Sequence, residues 1–473
     1  MHAVSPVSRI GIGLSVLIFG LAALSYGFPY GVNPADSPLL LYVGLTLVTG
    51  GLWAFLPYQI RQSTGAASPL LTIILIGFAM RGSMMLSTPV LEDDSYRYLW
   101  DGAVTAHGID PYKYAPAEAA PHPLFGTQDV TIQDQDLAQL QTLAERHAEP
   151  HSRINYPFVS TIYPPFAQAA FALAHALDPF GLTGWRLVLL AADLVTLSLL
   201  LKLLKSYHRS AAWAALYWWN PVVILQGFGA GHMDVLVLPF LVGALLLAKS
   251  QRVWLATLAL AGGAAIKLWP ILLFPILARP LLRQPMKLLL VSLAFGFSLA
   301  LLLLPQLLHA LKPDAGLNAY ASDWRTHAFL FAILEDVVFA VFEAPGQIAR
   351  LTVAGLMIAL TGSLALRFAD QVDHLPILAT AIIAALIFLS PTGYPWYFIW
   401  LAPFVCFVPH PGLLSLFALA PFYWLRFLLG DQSLLYQWGL VPIAFGIPLG
   451  LLVWSYMTRR RADAVRHHHP RFE

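Results

Sequence analysis

The polar residues best suited to catalysis lie in one segment, residues 92–114, directly after a long apolar stretch. The segment opens with Glu92, Asp93 and Asp94. Each of two adjacent carboxylates disfavours the charged form of the other, so one member is held at a raised pKa. A raised pKa suits a carboxylate to general-base work, which makes Asp93 and Asp94 the candidate catalytic residues. A solvated acidic loop is the alternative on charge alone, and the flanking Tyr, Arg and Trp residues favour a site.

Helical spacing places the residues that follow on one face. If Asp94 caps a helix, as Asp often does, then Arg97, Tyr98 and Asp101 lie three, four and seven residues further on. Residues at these spacings are neighbours on a helix surface. We therefore predict Arg97, Tyr98 and Asp101 as contacts to a bound substrate.

A second cluster follows a predicted helix break. Asn220-Pro221 disfavours a continuing helix, and Gly231 permits a tight turn. His232 and Asp234 then stand at the start of the next predicted helix, where the helix dipole favours an anion. Asp234 is predicted as a contact to the sugar or acceptor. The alternative is an ordinary turn with Asp234 as its cap, and spacing alone favours that alternative.

Lys267 is a lone lysine inside an apolar stretch of about 27 residues, 252–278. A charged side chain inside an apolar segment is costly and marks a candidate functional site. The Trp269-Pro270 step breaks the segment, so we predict a hairpin that reverses near Lys267. At such an apex the ammonium group would hold a lipid phosphate as a point charge. The alternative is a lysine whose stem lies along the apolar surface while its head reaches water.

Weaker candidates lie in three further segments. Arg325 is a candidate contact to phosphate. Tyr163, Tyr394 and Trp396 belong to segments rich in proline and aromatic residues, 161–166 and 390–397. Their rings would stack on a sugar or guide a lipid tail, whereas the alternative is anchoring at a membrane interface. No metal site is predicted.

The elements that must position these residues are membrane helices. The chain has 473 residues, of which 58% are hydrophobic and 11% charged, against about 25% charged in soluble domains. Apolar stretches of about 20 residues cross a bilayer as helices. The sequence therefore predicts an all-α polytopic transmembrane bundle with about 13–14 crossings, the hairpin counting as two. The predicted spans are about 10–26, 38–57, 68–88, 185–204, 211–227, 233–248, 252–278, 287–305, 347–368, 374–390, 396–408, 411–429 and 438–457.

Basic clusters between the spans fix an orientation, because basic loops stay in the cytoplasm. The predicted regions are N-terminal membrane helices (1–90), an outer loop with the acidic motif (91–184), a membrane bundle (185–457) and a basic cytoplasmic tail (458–473). Both termini are then cytoplasmic. The apolar run 158–177 within the outer loop is predicted to lie on or dip into the outer interface. The net charge of +2 gives no indication of nucleic-acid binding.

The motifs resemble those of a known family in type and order. The sequence has Asp-Asp-Ser-Tyr-Arg-Tyr-Leu-Trp-Asp-Gly and Gly-Ile-Asp-Pro-Tyr, followed by Thr-Ile-Tyr-Pro-Pro, Trp-Asn-Pro, Gly-His-Met-Asp, Ile-Lys-Leu-Trp-Pro and Tyr-Pro-Trp-Tyr. This set is similar to the GT-C superfamily, most of all glycosyltransferase family 87, the polyprenol-phosphate-mannose-dependent mannosyltransferases. The segments stand at 93–102, 108–112, 161–165, 219–221, 231–234, 266–270 and 394–397.

The resemblance implies an inverting membrane enzyme whose donor is a hexose, favouring mannose, on a polyprenyl monophosphate. By position, Asp93 or Asp94 would be the general base, and Lys267 and His232 would lie near the donor phosphate. Such enzymes use no nucleotide sugar, and neither a cofactor nor a metal is indicated. The family commonly has its acidic loop after the first helix, whereas about three predicted helices precede it here.

Two other classes remain as alternatives. One is a transporter or flippase of lipid-linked or amphiphilic solutes, whose sites sit near the membrane midplane, often at broken helices in paired repeats. The other is a ligase or polymerase that moves a whole lipid-linked glycan. The acceptor, a glycolipid, glycan or other molecule, is not indicated. A bacterial inner membrane facing the periplasm and an endoplasmic-reticulum membrane facing the lumen both fit; the compact chain with one cysteine favours the bacterial membrane.

Overall fold

The computed structural model describes residues 5–62, 70–120, 134–310, 324–368 and 372–468, and these form a helical bundle. Across these ranges there is no β-strand, and an isolated bridge joins Thr326 to Thr392. The all-α prediction is therefore confirmed. The α-helices of 12 residues or more are Pro6–Leu24, Leu39–Ala54, Leu70–Met85, Asp94–Ala106, Gln135–Arg146, Pro165–Leu177, Leu182–Ser206, Leu238–Lys249, Val253–Ala264, Pro285–Ala310, Pro345–Arg367, Leu375–Leu389 and Val441–His468.

Eight helical segments in the described ranges are long and apolar enough to cross a membrane, or nine if one bent pair counts as a span. This makes the protein an integral membrane protein, with fewer full-length spans than the 13–14 crossings predicted. Prolines explain part of the difference: the predicted span 396–408 is two short 3-10 turns, Pro395–Leu401 and Phe404–Cys406. The eight segments are Pro6–Gly27, Leu39–Gln62, Leu182–Ser206, Pro285–His309, Pro345–Arg367, Val372–Leu389, Pro411–Leu429 and Leu435–Thr458.

Buried ion pairs and hydrogen bonds join the membrane helices. Arg81 Nε lies 2.5 Å from Asp193 Oδ2, and both side chains are fully buried. Arg186 donates to the carbonyl oxygens of Met85 and Ser87 at 2.9 Å and of Gly229 at 2.6 Å. These contacts join the helix Leu182–Ser206 to the helix Leu70–Met85 and to the segments around Ser87 and Gly229. These hydrogen bonds and the ion pair also offset the free-energy cost of burying the charged side chains.

Two turns present the functional segments to one region. The chain bends by 109° between Val223–Gly229 and Met233–Lys249. Gly231 lies at this bend with a φ of +78°, a backbone conformation that favours glycine. Further along, Val253–Ala264 packs against the Trp269–Leu273 turn that follows it. Val253–Ala264 also packs against Phe274–Ala278, so the chain folds back near Lys267 as the prediction requires, with arms shorter than full membrane spans.

The helix Asp94–Ala106, here termed the acidic helix, packs against Pro165–Leu177. At Gly102 an added Cβ would lie 2.3 Å from the Phe171 carbonyl oxygen, so glycine is required for this close approach. With 13 residues, Pro165–Leu177 is too short to cross a bilayer. This agrees with the prediction that the run 158–177 does not cross.

Candidate functional site

A cavity of about 450 Å³, here termed the first cavity, lies where the acidic motif, the Lys267 turn and two aromatic segments meet. Its lining is largely aromatic and apolar, with charged groups from Glu92 to Asp94, Lys267 and Arg426. Other lining residues are Tyr98, Asn155, Tyr156, Ile162, Tyr163, Pro164, Leu268, Trp269, Trp324, Leu386, Tyr394, Trp396, Tyr397, Trp400, Tyr423 and Phe427.

The two candidate bases have different partners. Asp93 precedes the acidic helix, and its Oδ1 lies 3.2 Å from Arg153 Nη2 in an ion pair. Asp94 is the first residue of the helix, and its Oδ1 accepts a hydrogen bond from Asn155 Nδ2 at 2.6 Å. A cation therefore neutralises Asp93, whereas a neutral amide orients Asp94 and leaves its charge in place.

Burial raises the pKa of all three acids of the motif. For Asp94, burial is opposed by the Asn155 hydrogen bond and by the positive charge of Lys267, and the net pKa is raised. For Asp93, burial outweighs the lowering by Arg153, and the pKa is again raised. The pKa of Glu92 stands well above its usual range because of burial and the neighbouring charge of Asp94. The motif thus holds groups suited to take up a proton.

Lys267 lies where the hairpin prediction put it. Its Nζ donates to Asp234 Oδ1 at 2.7 Å, and Trp400 Nε1 donates to the same oxygen at 2.6 Å. The ammonium group also lies 4.4 Å from the ring centroid of Tyr397. Asp234 is fully buried and does not line the first cavity, so it holds Lys267 in place instead of touching a ligand.

His232 lies behind the cavity wall. It is fully buried, and its ring stacks on Trp396 with 3.8 Å between centroids. Neither ring nitrogen has a hydrogen-bond partner, although Nδ1 lies 3.6 Å from Asp94 Oδ2 and Nε2 lies 4.0 Å from Glu92 Oε2. The Trp396 ring and the two acids surround His232, so the structure does not bring it to the surface of the first cavity with Lys267.

Aromatic rings form part of the wall of the first cavity. Trp396 stacks on Tyr394 with 4.3 Å between centroids, and Tyr397 stacks on Trp400 at 4.4 Å. Tyr98 also lines the first cavity, as the predicted helical face requires. Such stacked rings, with polar groups at one end, suit a ligand that has both apolar and hydroxyl-bearing parts.

Arg97 and Asp101 differ from their predicted role. Arg97 Nε lies 2.9 Å from Asp101 Oδ1, and both are buried away from the first cavity. Asp101 Oδ2 also accepts from Thr161 Oγ1 at 2.5 Å and from Gln168 Nε2 at 3.3 Å. The pair therefore joins the acidic helix to Thr161 and to the helix Pro165–Leu177, and it does not line the first cavity.

Arg325 lies outside the first cavity. Its guanidinium donates to Glu335 at 2.8 Å and to Asp336 Oδ1 at 2.6 Å. It lines a different cavity, together with Asp336. The prediction that it contacts donor phosphate does not fit this placement.

Several lining residues were missed by the sequence reasoning. Arg426 lines the first cavity and donates to the Tyr423 hydroxyl at 2.8 Å. Its signal was available, since it is an arginine inside the predicted span 411–429. Asn155 and Arg153 gave no such signal, because nothing in their local sequence indicates which acid they approach. No group of three or more His, Cys, Asp or Glu among the described residues is placed to hold a metal ion.

Residues 161–283 match a family model. The model is that of the MptA_B family, described as alpha-(1->6)-mannopyranosyltransferase, N-terminal domain. The match covers about a quarter of the chain and includes Tyr163, His232, Asp234 and Lys267, whereas the acidic motif lies outside it. It supports a membrane mannosyltransferase and does not single out glycosyltransferase family 87. No curated protein and no solved structure gives a significant match.

Proposed function

We propose that this protein is a membrane mannosyltransferase that uses a polyprenyl-phosphate mannose donor on the non-cytoplasmic side, with Asp94 as general base. The observation that carries the proposal is one cavity whose lining is largely aromatic and apolar but includes a carboxylate, Asp94, oriented by Asn155, and a lysine, Lys267. The family match over residues 161–283 supports mannose as the sugar.

Different residues of the cavity lining suit different chemical parts of the donor. Lys267 and Arg426 offer positive charge for a phosphate group, as a point charge and a planar fork respectively. Ile162, Leu268 and Leu386 line the apolar part, which suits the first units of a polyprenyl chain. The rest of the polyprenyl tail would remain in the lipid, so the first cavity would hold only the phosphate end of the donor and the first units of its chain.

The reaction is a direct displacement. Asp94 takes the proton from an acceptor hydroxyl while the hydroxyl oxygen attacks the anomeric carbon of mannose. The new carbon–oxygen bond forms as the bond from that carbon to the phosphate oxygen breaks, and the configuration inverts. Polyprenyl phosphate leaves with the bonding electron pair, and the charges of Lys267 and Arg426 stabilise it.

The partners of the two aspartates favour Asp94 over Asp93. Asp93 is 32% exposed and paired with Arg153, a geometry in which the cation competes with a proton for the carboxylate. Asp94 is 22% exposed and lacks such a neutralising contact, while Asn155 fixes its orientation. A positioned and unneutralised carboxylate is the better base.

The test is mannose transfer by membranes containing the full chain, with labelled polyprenyl-phosphate mannose as donor. We expect Asp94→Asn to lower kcat by roughly 10²-fold or more, the size of a general-base contribution. Asp93→Asn is the matched control and should retain activity within several-fold. Equal amounts of folded protein are verified by size-exclusion chromatography in detergent. Full activity in Asp94→Asn would exclude it as the base.

A further inference from the structure

A second cavity, of about 370 Å³, lies among the described residues beside the first. Its lining is mainly polar and includes Arg325, Thr326, His327, Asp336, Asp431 and Gln437. Neither the family match nor the proposed donor geometry uses any of these residues, since the match ends at residue 283.

The two cavities share a wall. Trp324 lines the first cavity and the next residue, Arg325, lines the second. Arg426 lines the first, and its Nε lies 2.5 Å from Oδ1 of Asp431, which lines the second. The Arg426–Asp431 pair therefore contributes one residue to the lining of each cavity.

The floor of the second cavity is tied to the aromatic wall of the first. Thr326 N donates to the Pro391 carbonyl oxygen at 3.1 Å, and Gly393 N donates to the Thr326 carbonyl oxygen at 2.9 Å. Gly393 immediately precedes the stacked residue Tyr394. Groups bound in the two cavities would thus be held at a fixed separation.

The chemistry of the second cavity differs from that of the first. Arg325 is paired with two carboxylates, Glu335 and Asp336, whereas Lys267 and Arg426 in the first cavity have one acidic partner each. The second cavity therefore offers less positive charge to a phosphate. What it presents is a mixture of polar groups: carboxylate oxygens, a threonine hydroxyl that can donate or accept, and the Gln437 amide oxygen, since the amide nitrogen already donates to Asp431 and Gln432. Sugar hydroxyls donate and accept hydrogen bonds, which matches such a mixture, whereas a polyprenyl chain does not.

We propose that the second cavity binds the hydroxyl-rich carbohydrate end of the acceptor. This inference rests on the proposed function, because an acceptor is needed only if the protein transfers a sugar. The acceptor would approach past the Arg426–Asp431 pair, bringing one hydroxyl to Asp94 and the anomeric carbon in the first cavity. Both a free oligosaccharide and a glycan on a lipid anchor present this chemistry.

The test measures binding of a short mannose oligosaccharide, free and lipid-anchored, to the full chain in lipid nanodiscs. The Asp94→Asn background prevents turnover. Gln437→Leu keeps side-chain size and removes the Oε1 acceptor, together with the hydrogen bonds that Nε2 donates to the Asp431 carbonyl oxygen and to Gln432 Oε1 at 3.0 Å. The exposed Gln62→Leu is the matched control, and equal Tm values of the two variants verify that the loop at Asp431 stays folded. We expect Gln437→Leu to weaken binding about ten-fold, the size expected for one lost hydrogen bond, and Gln62→Leu to leave it unchanged. Binding of the anchored sugar alone would identify a membrane glycolipid as the source.

Kinetics in the wild-type background provides the second readout. Gln437→Leu should raise the acceptor KM and leave the donor KM unchanged. Equal binding by Gln437→Leu and Gln62→Leu, or no binding of either oligosaccharide, would overturn the acceptor site. That failure is distinct from failure of the proposed function, which would appear as full transfer by Asp94→Asn in the separate activity assay.

Discussion

At the residue scale, the neighbours of three consecutive acids give each a different role. Arg153 neutralises Asp93, Asn155 orients Asp94, and Glu92 lies beside the buried ring of His232. The sequence restricts the candidate base to Asp93 or Asp94, because a pair of adjacent carboxylates can be recognised without a structure. It did not separate them, because the separating residues lie about 60 positions away and approach only in the fold.

The raised pKa of Asp94 predicts a pH dependence. The base must be deprotonated, so transfer should rise with pH through the Asp94 pKa, which burial raises above the ordinary value, about 3.9 for aspartate. Removing the Asn155 hydrogen bond removes a contact that stabilises the carboxylate. We therefore expect Asn155→Ala to move the acid limb of the kcat/KM profile to higher pH.

The measurement is the pH profile of kcat/KM for the acceptor in wild type and Asn155→Ala, with pre-incubation controls for stability at each pH. An acid limb at or below the pH set by an ordinary aspartate would contradict burial of the base. A downward shift in Asn155→Ala would show that Asn155 does not stabilise the charged form of Asp94.

At the element scale, the acidic helix depends on a buried polar network. Asp101 accepts from Arg97, Thr161 and Gln168. Asp101→Asn removes the charge that pairs with buried Arg97, and breaking a buried pair in this way costs roughly 3–5 kcal/mol. We expect a clearly lower Tm in detergent and reduced transfer, because the helix that carries Asp94 loses its anchor.

Asp110→Asn is the matched control for this prediction. Asp110 lies 2.8 Å from His309, but its side chain is 42% exposed, and exposed pairs contribute only about 0–1 kcal/mol. Its Tm should stay near that of the wild type. Equal Tm values for Asp101→Asn and Asp110→Asn would show that the network does not stabilise the acidic helix.

Local sequence rules predicted the helices and turns better than they predicted which other segments those helices and turns contact. Helical spacing placed Arg97 and Asp101 one turn apart, and the structure has this pair at the expected separation. The spacing did not reveal that the pair faces Thr161 and Gln168, since those contacts depend on how a second helix packs at Gly102. The Lys267 reversal was predictable because a proline and a lone charge mark it locally.

At the scale of the whole molecule, the proposed site requires one orientation. The helix Leu182–Ser206 runs from the predicted outer loop to the basic residues Lys202 and Lys205. The positive-inside rule predicts that those lysines are cytoplasmic, which would put the loop that contains Asp94 on the other side. The donor cavity would then open where the resemblance and the proposed function require it.

Cysteine labelling tests this orientation directly. The buried Cys406 is first replaced by alanine, and single cysteines are then introduced as Glu145→Cys or Lys205→Cys, both at exposed positions. In sealed vesicles of known orientation, a membrane-impermeant maleimide should label Glu145→Cys only from the non-cytoplasmic side. Lys205→Cys should react only from the cytoplasmic side, because the helix Leu182–Ser206 separates the two positions by one crossing. Labelling of both cysteines from the same side would show that this helix does not span the membrane, and the reverse pattern would place Asp94 and Lys267 in the cytoplasm, away from the proposed donor.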